Sequence, residues 1–97
     1  MNIEKKTEGS TAVLYLNGWM DTMSAPDFAA ALEALDADTK ELVLDLSGLE
    51  YTSSSGIRQI VAAYKKMNGA LTLKNPSAEV LDVLKMTGLT KRLHIEA

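Results

Sequence analysis

Apolar residues fall along the chain in short runs that alternate with segments of helical period. Residues 11–16 hold Val13, Leu14, Tyr15 and Leu16 in a run that suits a strand with at least one buried face, and Gly18 is expected to end it. Residues 2–7 are weakly patterned and read as a short edge strand, joined to the first run by the turn Glu8-Gly9-Ser10. After an expected loop over residues 19–23, Ser24-Ala25-Pro26-Asp27 reads as a helix start. A capping serine, a proline in the first turn and an acid at the positive end of the dipole all point the same way. Phe28, Ala31, Leu32 and Leu35 then recur at helical spacing, before a polar loop at residues 36–39. Residues 41–46 form an apolar run of the kind found in central strands. Ile57, Ile60, Val61 and Tyr64 mark a second helix, from Ser54 or Ser55 to Met67, stopped by Asn68-Gly69. A strand is expected over residues 70–73. A third helix starts at Asn75-Pro76-Ser77, carries Val80, Leu81, Val83 and Leu84, and ends at the glycine of Thr87-Gly88-Leu89. Residues 93–95 read as a last short strand.

The order β-β-α-β-α-β-α-β argues for an α/β fold with a largely parallel sheet and right-handed crossovers. With 97 residues, no repeat and no linker-like stretch, the chain reads as a single domain over residues 1–97. A hydrophobic content of 46% is enough for a core. The net charge of −3 argues against a nucleic-acid binder, which would carry a basic patch. Without cysteine there are no disulfides or thiolate metal sites. Neither a signal-peptide core nor a run of membrane-spanning length is visible, so a cytoplasmic protein without membrane insertion is expected.

The chemistry concentrates in residues 45–58, Asp-Leu-Ser-Gly-Leu-Glu-Tyr-Thr-Ser-Ser-Ser-Gly-Ile-Arg, read as strand end, loop and first helical turn. Sites of open α/β sheets lie outside the carboxyl ends of the strands, and here Thr52, Ser53, Ser54 and Ser55 fall at that place. The start of a helix offers unpaired N–H groups and partial positive charge to an anion. A phosphate on a serine there is locally well placed and still changes the surface charge. Gly56 is expected to allow a close backbone approach or a strained helix entry, so that alanine there disturbs the loop more than the core. Arg58 sits where the dipole disfavours a cation; it is either solvated or a contact for phosphate or an acidic partner. Asp45 is read as ending its strand, and the acidic pair and lysine that a phosphoacceptor aspartate would need are not recognisable, which leaves it structural. The single His94 has no visible acid or nucleophile partner, and no metal-ligand cluster or Walker-type loop is present. No catalytic residue, metal or cofactor is expected, and the chain does not read as an enzyme.

Residues 45–58 resemble the signature of the STAS domain, shared by bacterial anti-sigma factor antagonists and the cytoplasmic tails of sulfate transporters. That signature has a strand ending near Asp-Leu-Ser, a hydrophobic residue, and Asp-Ser-Ser/Ala-Gly-Leu opening a helix. Leu16-Asn17-Gly18-Trp19-Met20-Asp21 resembles the family's Leu-x-Gly-x-Leu-Asp element, and residues 84–89 resemble its ending of the third helix. The resemblance covers nearly the whole chain. It implies a small mixed β-sheet with helices packed mainly on one side. It places Ser54 on the phosphorylated serine and Gly56 on the glycine of the helical turn. Ser53 stands where many antagonists have Asp, and Trp19 where the family more often has a polar residue.

By the same resemblance the chain is an anti-sigma factor antagonist. Unphosphorylated, it would bind an anti-sigma factor, often itself a GHKL-type serine kinase, and so free the sigma factor. Phosphorylation of Ser54 would break the complex and a PP2C-type phosphatase would restore it, with ATP and magnesium belonging to the kinase. The implied partner surface holds Trp19, Asp21, Thr22, Ser53, Ser54, Ser55, Gly56 and Arg58, together with the exposed face of the second helix. Two rivals stand beside this reading. One is a STAS subunit that docks on the permease and ATPase of a lipid-transport ABC complex without a kinase cycle. The other is a small-ligand or nucleotide sensor, which only the anion-favouring helix start supports.

Overall fold

The structure, a computed structural model, describes residues 1–96. Its strands are β1 (Asn2–Glu8), β2 (Thr11–Met20), β3 (Glu41–Thr52), β4 (Leu71–Lys74) and β5 (His94–Glu96). Its helices are α1 (Ala25–Glu33), α2 (Ser54–Lys66) and α3 (Ala78–Met86), and a 3₁₀ turn, Leu89–Lys91, precedes β5. The strands lie side by side in chain order. β1 runs antiparallel to β2, as a hairpin requires, and every later neighbour is parallel. Three successive β-α-β units thus step across the sheet in one direction. Right-handed crossovers then place all three helices on the same face.

Burial follows that geometry. Strand side chains alternate between the two faces. Ala12, Leu14 and Leu16 of β2, Leu42, Leu44 and Leu46 of β3, and Leu71 and Leu73 of β4 are buried on the helix side. They pack with Phe28 and Leu32 of α1, Ile57, Ile60 and Ala63 of α2, and Val80 and Leu84 of α3 in one cluster. The intervening Val13, Tyr15, Val43 and Thr72 are only half-buried. The mixed sheet with helices on one side is the architecture the sequence resemblance implies. No helix among the described residues is long and apolar enough to cross a membrane.

The main departures from the sequence reading lie at the carboxyl ends of β2 and β3. Both strands run on past their expected ends, β2 through Trp19 and Met20 and β3 through Thr52. Residues 47–52 are therefore strand, the only loop before α2 is Ser53, and Asp45 lies in mid-strand. Two bulges explain the misreading. From Tyr15↔Asp45 to Asn17↔Gly48, β3 uses three residues against two of β2; from Gly18↔Leu49 to Trp19↔Tyr51 it uses two against one. Each extra residue shifts the alternation, so burial passes from Leu46 to Leu49 and then to Thr52, and the period of two is lost. Gly48 sits at the first bulge, where a Cβ would run into the Asn17 side chain and come within 3.3 Å of the Leu16 carbonyl.

Candidate functional site

β2 and β3 are adjacent and parallel, so their carboxyl ends emerge together, and the starts of α1 and α2 rise from the same edge. The structure gathers every sequence-predicted site residue there. The backbone is closed by the Ser53 N–H, which donates to the Met20 carbonyl at 2.8 Å.

On the α1 side, Ser24 holds the turn in a way its sequence reading did not anticipate. It precedes α1 but makes no side-chain cap to it. The hydroxyl of Ser24, which is buried, donates instead to the Trp19 carbonyl (2.9 Å) and accepts from the Asp21 N–H (2.9 Å). The Asp21 carboxylate in turn accepts from the backbone N–H groups of Met23 and Ser24, both at 3.0 Å. These donors favour the charged form. The Ser24 backbone bond, followed by its hydroxyl, the Met23 N–H and the N-terminal ammonium, outweighs desolvation and holds the Asp21 pKa below an ordinary aspartate's. Asp21 therefore organises its own turn.

On the α2 side, three consecutive serines have three different roles. Ser53 is the N-cap, with extended backbone, and its Oγ accepts a long 3.4 Å bond from the Gly56 N–H. Ser55 is half-buried, and its hydroxyl lies 3.2 Å from that of Thr22, which ties the turn after β2 to the first turn of α2. Ser54 is exposed, and its hydroxyl has no hydrogen-bond partner among the described residues. Of the first four amides of α2, that of Gly56 meets Ser53 Oγ and that of Ile57 bonds the Ser53 carbonyl at 3.0 Å. The amides of Ser54 and Ser55 are the pair a helix start leaves open. Arg58 is exposed, makes no ion pair among the described residues, and stands four residues after Ser54, hence on the same helix face. Thr22, Pro26, Ser55, Arg58 and Gln59 line a shallow cleft of about 260 Å³ between the two helix starts.

Gly56 acts through close approach. Its φ is not in the left-handed region, so the strained-entry reading falls. A Cβ there would come within 2.9 Å of Met20 Cγ and Sδ and would crowd the Thr52 Oγ1. Both neighbours are buried, so alanine at this position disturbs the core side of the turn, contrary to the sequence expectation.

Trp19 is largely exposed, at 58%, and its ring lies 5.5 Å from that of Tyr51, its partner in the strand register, at an interplanar angle of 53°. The Trp19–Tyr51 pair was not legible in the sequence because the bulges that set its register were not. Pro26 and Gln59 were also missed as lining residues; Gln59 stands four residues after Ser55 on the same face of α2, a helical spacing that carried a signal for it.

The STAS domain family model matches residues 2–97. The anti-sigma-B factor antagonist of Bacillus subtilis is 27% identical over 100 aligned residues, covering all of this chain and 92% of that protein. An anti-sigma factor antagonist from Mycobacterium paratuberculosis superposes with a TM-score of 0.88 at 24% identity, over 98% of this chain and 84% of that one. The unphosphorylated form of SpoIIAA superposes with a TM-score of 0.82 at 19% identity, over 99% of this chain and 89% of that one. The Bacillus cell fate determinant SpoIIAA has also been solved phosphorylated.

Proposed function

The chain belongs to the STAS domain family, and we propose that within it this protein is an anti-sigma factor antagonist whose binding is switched by a phosphate on Ser54. A relative named an anti-sigma-B factor antagonist, aligned over all of this chain and 92% of its own length, supports the first half. The observation that carries the second is the division of labour among the serines: Ser53 caps, Ser55 pairs with Thr22, and Ser54 alone presents a free hydroxyl to solvent.

The switch acts at the surface and leaves the fold in place. A phosphate adds about −1.5 to −2 charges and three acceptor oxygens. At the first residue of α2 it meets the open amides of Ser54 and Ser55 and the dipole, which favours an anion by about 0.3–1 kcal/mol. Arg58 is one turn away on the same face. The domain therefore tolerates the modification. A partner seated on this edge does not: the phosphate occupies the contact and repels any acidic group that faced the serine, and like charges across an interface cost several kcal/mol.

In this reading the unphosphorylated protein binds an anti-sigma factor and frees the sigma factor. The anti-sigma factor is a GHKL-type serine kinase that modifies Ser54 with its own ATP and magnesium, and a PP2C-type phosphatase reverses the step. The protein itself works by binding and not by catalysis, and no resident cofactor takes part. The test is a binding titration of the wild type, Ser54→Ala and Ser54→Asp proteins against the anti-sigma factors of the same organism. Wild type and Ser54→Ala are expected to bind alike and Ser54→Asp at least tenfold more weakly. Equal binding by all three would contradict the switch and favour a constitutive docking subunit.

A further inference from the structure

Beyond Asp45, β3 is paired on one side only. Its register with β4 ends at Asp45↔Lys74, whereas its register with β2 continues to Met20↔Thr52. The free flank of this tail and the start of α3 enclose a cleft of about 700 Å³. Trp19, Leu49 and Tyr51 supply most of its apolar lining, and Ser47, Glu50, Ser77 and Glu79 its polar lining. It shares no lining residue with the cleft beside Ser55 and Arg58.

Three features define what fits. The aromatic pair is large, exposed (58% and 45%) and pre-arranged by its own tilted contact, so a ligand need not order it. Glu50 and Glu79 make no ion pair among the described residues, whose carboxylate pairs use Glu8 and Glu96. Ser77 Oγ accepts from the Val80 N–H at 3.2 Å and Ser47 Oγ donates to the Asp45 carboxylate at 2.7 Å, which leaves the two carboxylates as the charged groups of the lining. No lysine or arginine is among the lining residues. A flat, weakly hydrated cation that stacks on an aromatic face and donates to carboxylates matches this set, and that is a guanidinium more closely than an ammonium.

We propose that this cleft takes an arginine side chain from a segment of a partner protein. The docking point is separate from the serine edge and stands whether or not Ser54 is phosphorylated. It would hold a partner by a contact that the phosphate does not occupy.

Trp19 is the sole tryptophan, so its indole N–H is a direct reporter. The experiment titrates the full-length, ¹⁵N-labelled protein with acetyl-Ala-Arg-Ala-amide and with the same peptide carrying citrulline, which keeps the shape of arginine and loses the charge. The expected result is a saturable shift of the Trp19 indole and of amides at residues 49–51 and 77–79, at least threefold weaker for citrulline. Glu50→Gln combined with Glu79→Gln should weaken the arginine peptide about three- to tenfold, and Trp19→Leu by a similar factor, with the amide spectrum still folded. Equal response to the two peptides, no saturation, or shifts confined to residues 22–26 and 55–59 would overturn the assignment. Because Ser54 is intact throughout, failure here is distinguishable from failure of the phosphate switch.

Discussion

The hydroxyls of Thr22 and Ser55, 33 positions apart in the chain, meet at 3.2 Å and join the turn after β2 to the first turn of α2. Ser54 lies between this bridge and the Ser53 cap, and neither uses it. Removing the bridge should therefore be felt in stability, and removing Ser54 should not. Thr22→Val and Ser55→Ala are expected to cost about 0.5–1.5 kcal/mol each and to be coupled in a double-mutant cycle. Ser54→Ala should stay within about 0.5 kcal/mol of wild type. Urea denaturation of the wild type, the two single variants, their double variant and Ser54→Ala checks this, and a larger loss for Ser54→Ala would mean that its hydroxyl has a structural partner.

Gly56 abuts the buried Met20 and Thr52 side chains. Gly56→Ala forces them to shift and is expected to destabilise by about 1–3 kcal/mol, as overpacking does. The denaturation midpoint should fall with the slope unchanged. A neutral substitution would mean that Met20, a flexible side chain, moves aside at no cost.

The Ser24 and Met23 N–H groups that donate to the Asp21 carboxylate help to hold its pKa below the ordinary value. A carboxyl whose folded pKa is depressed adds stability above its unfolded pKa, near 3.9, and loses that stability as the pH falls through the lower folded value. Asp21→Asn should accordingly melt below wild type at neutral pH, and the two melting curves should converge as the pH falls below about 4. A gap that persists unchanged into acid would show that the charge of Asp21 is not what matters.

If phosphate on Ser54 lies beside the open amides and Arg58, its second pKa should fall below the usual value of about 6, because both neighbours favour the dianion. Phosphorus NMR of the phosphorylated protein reads that pKa directly. Arg58→Ala should raise it and leave the fold unchanged. No difference between the two proteins would leave Arg58 a solvated side chain.

Much of this architecture was legible in the sequence because its signals are local and agree. Phe28, Leu32, Ile57 and Ile60 keep the helical period, Asn68 and Gly69 have the left-handed backbone of a helix stop, and Ser77 accepts from the Val80 N–H as an N-cap. The site was legible in composition but not in geometry. Four hydroxyl residues at a strand-to-helix junction can be read from residue types alone. Their different roles depend on the turn after β2, whose Thr22 is 33 positions away from Ser55. The strand ends were missed for a related reason. Bulges are a property of two strands together, and the β3 segment from Ser47 to Tyr51 shows no period of two when read by itself. Trp19 and Tyr51 were consequently not seen as a pair, nor was the cleft beside them.

The most direct test of the phosphate switch is mass spectrometry of the protein purified from its own cells and incubated with the host's GHKL kinases and ATP, with Ser54→Ala treated alongside. A single phosphate on Ser54, absent from the substituted protein, is the predicted result. An unmodified protein, or a phosphate on Ser53 or Ser55 with Ser54 bare, would contradict the assignment of the switch to the exposed serine.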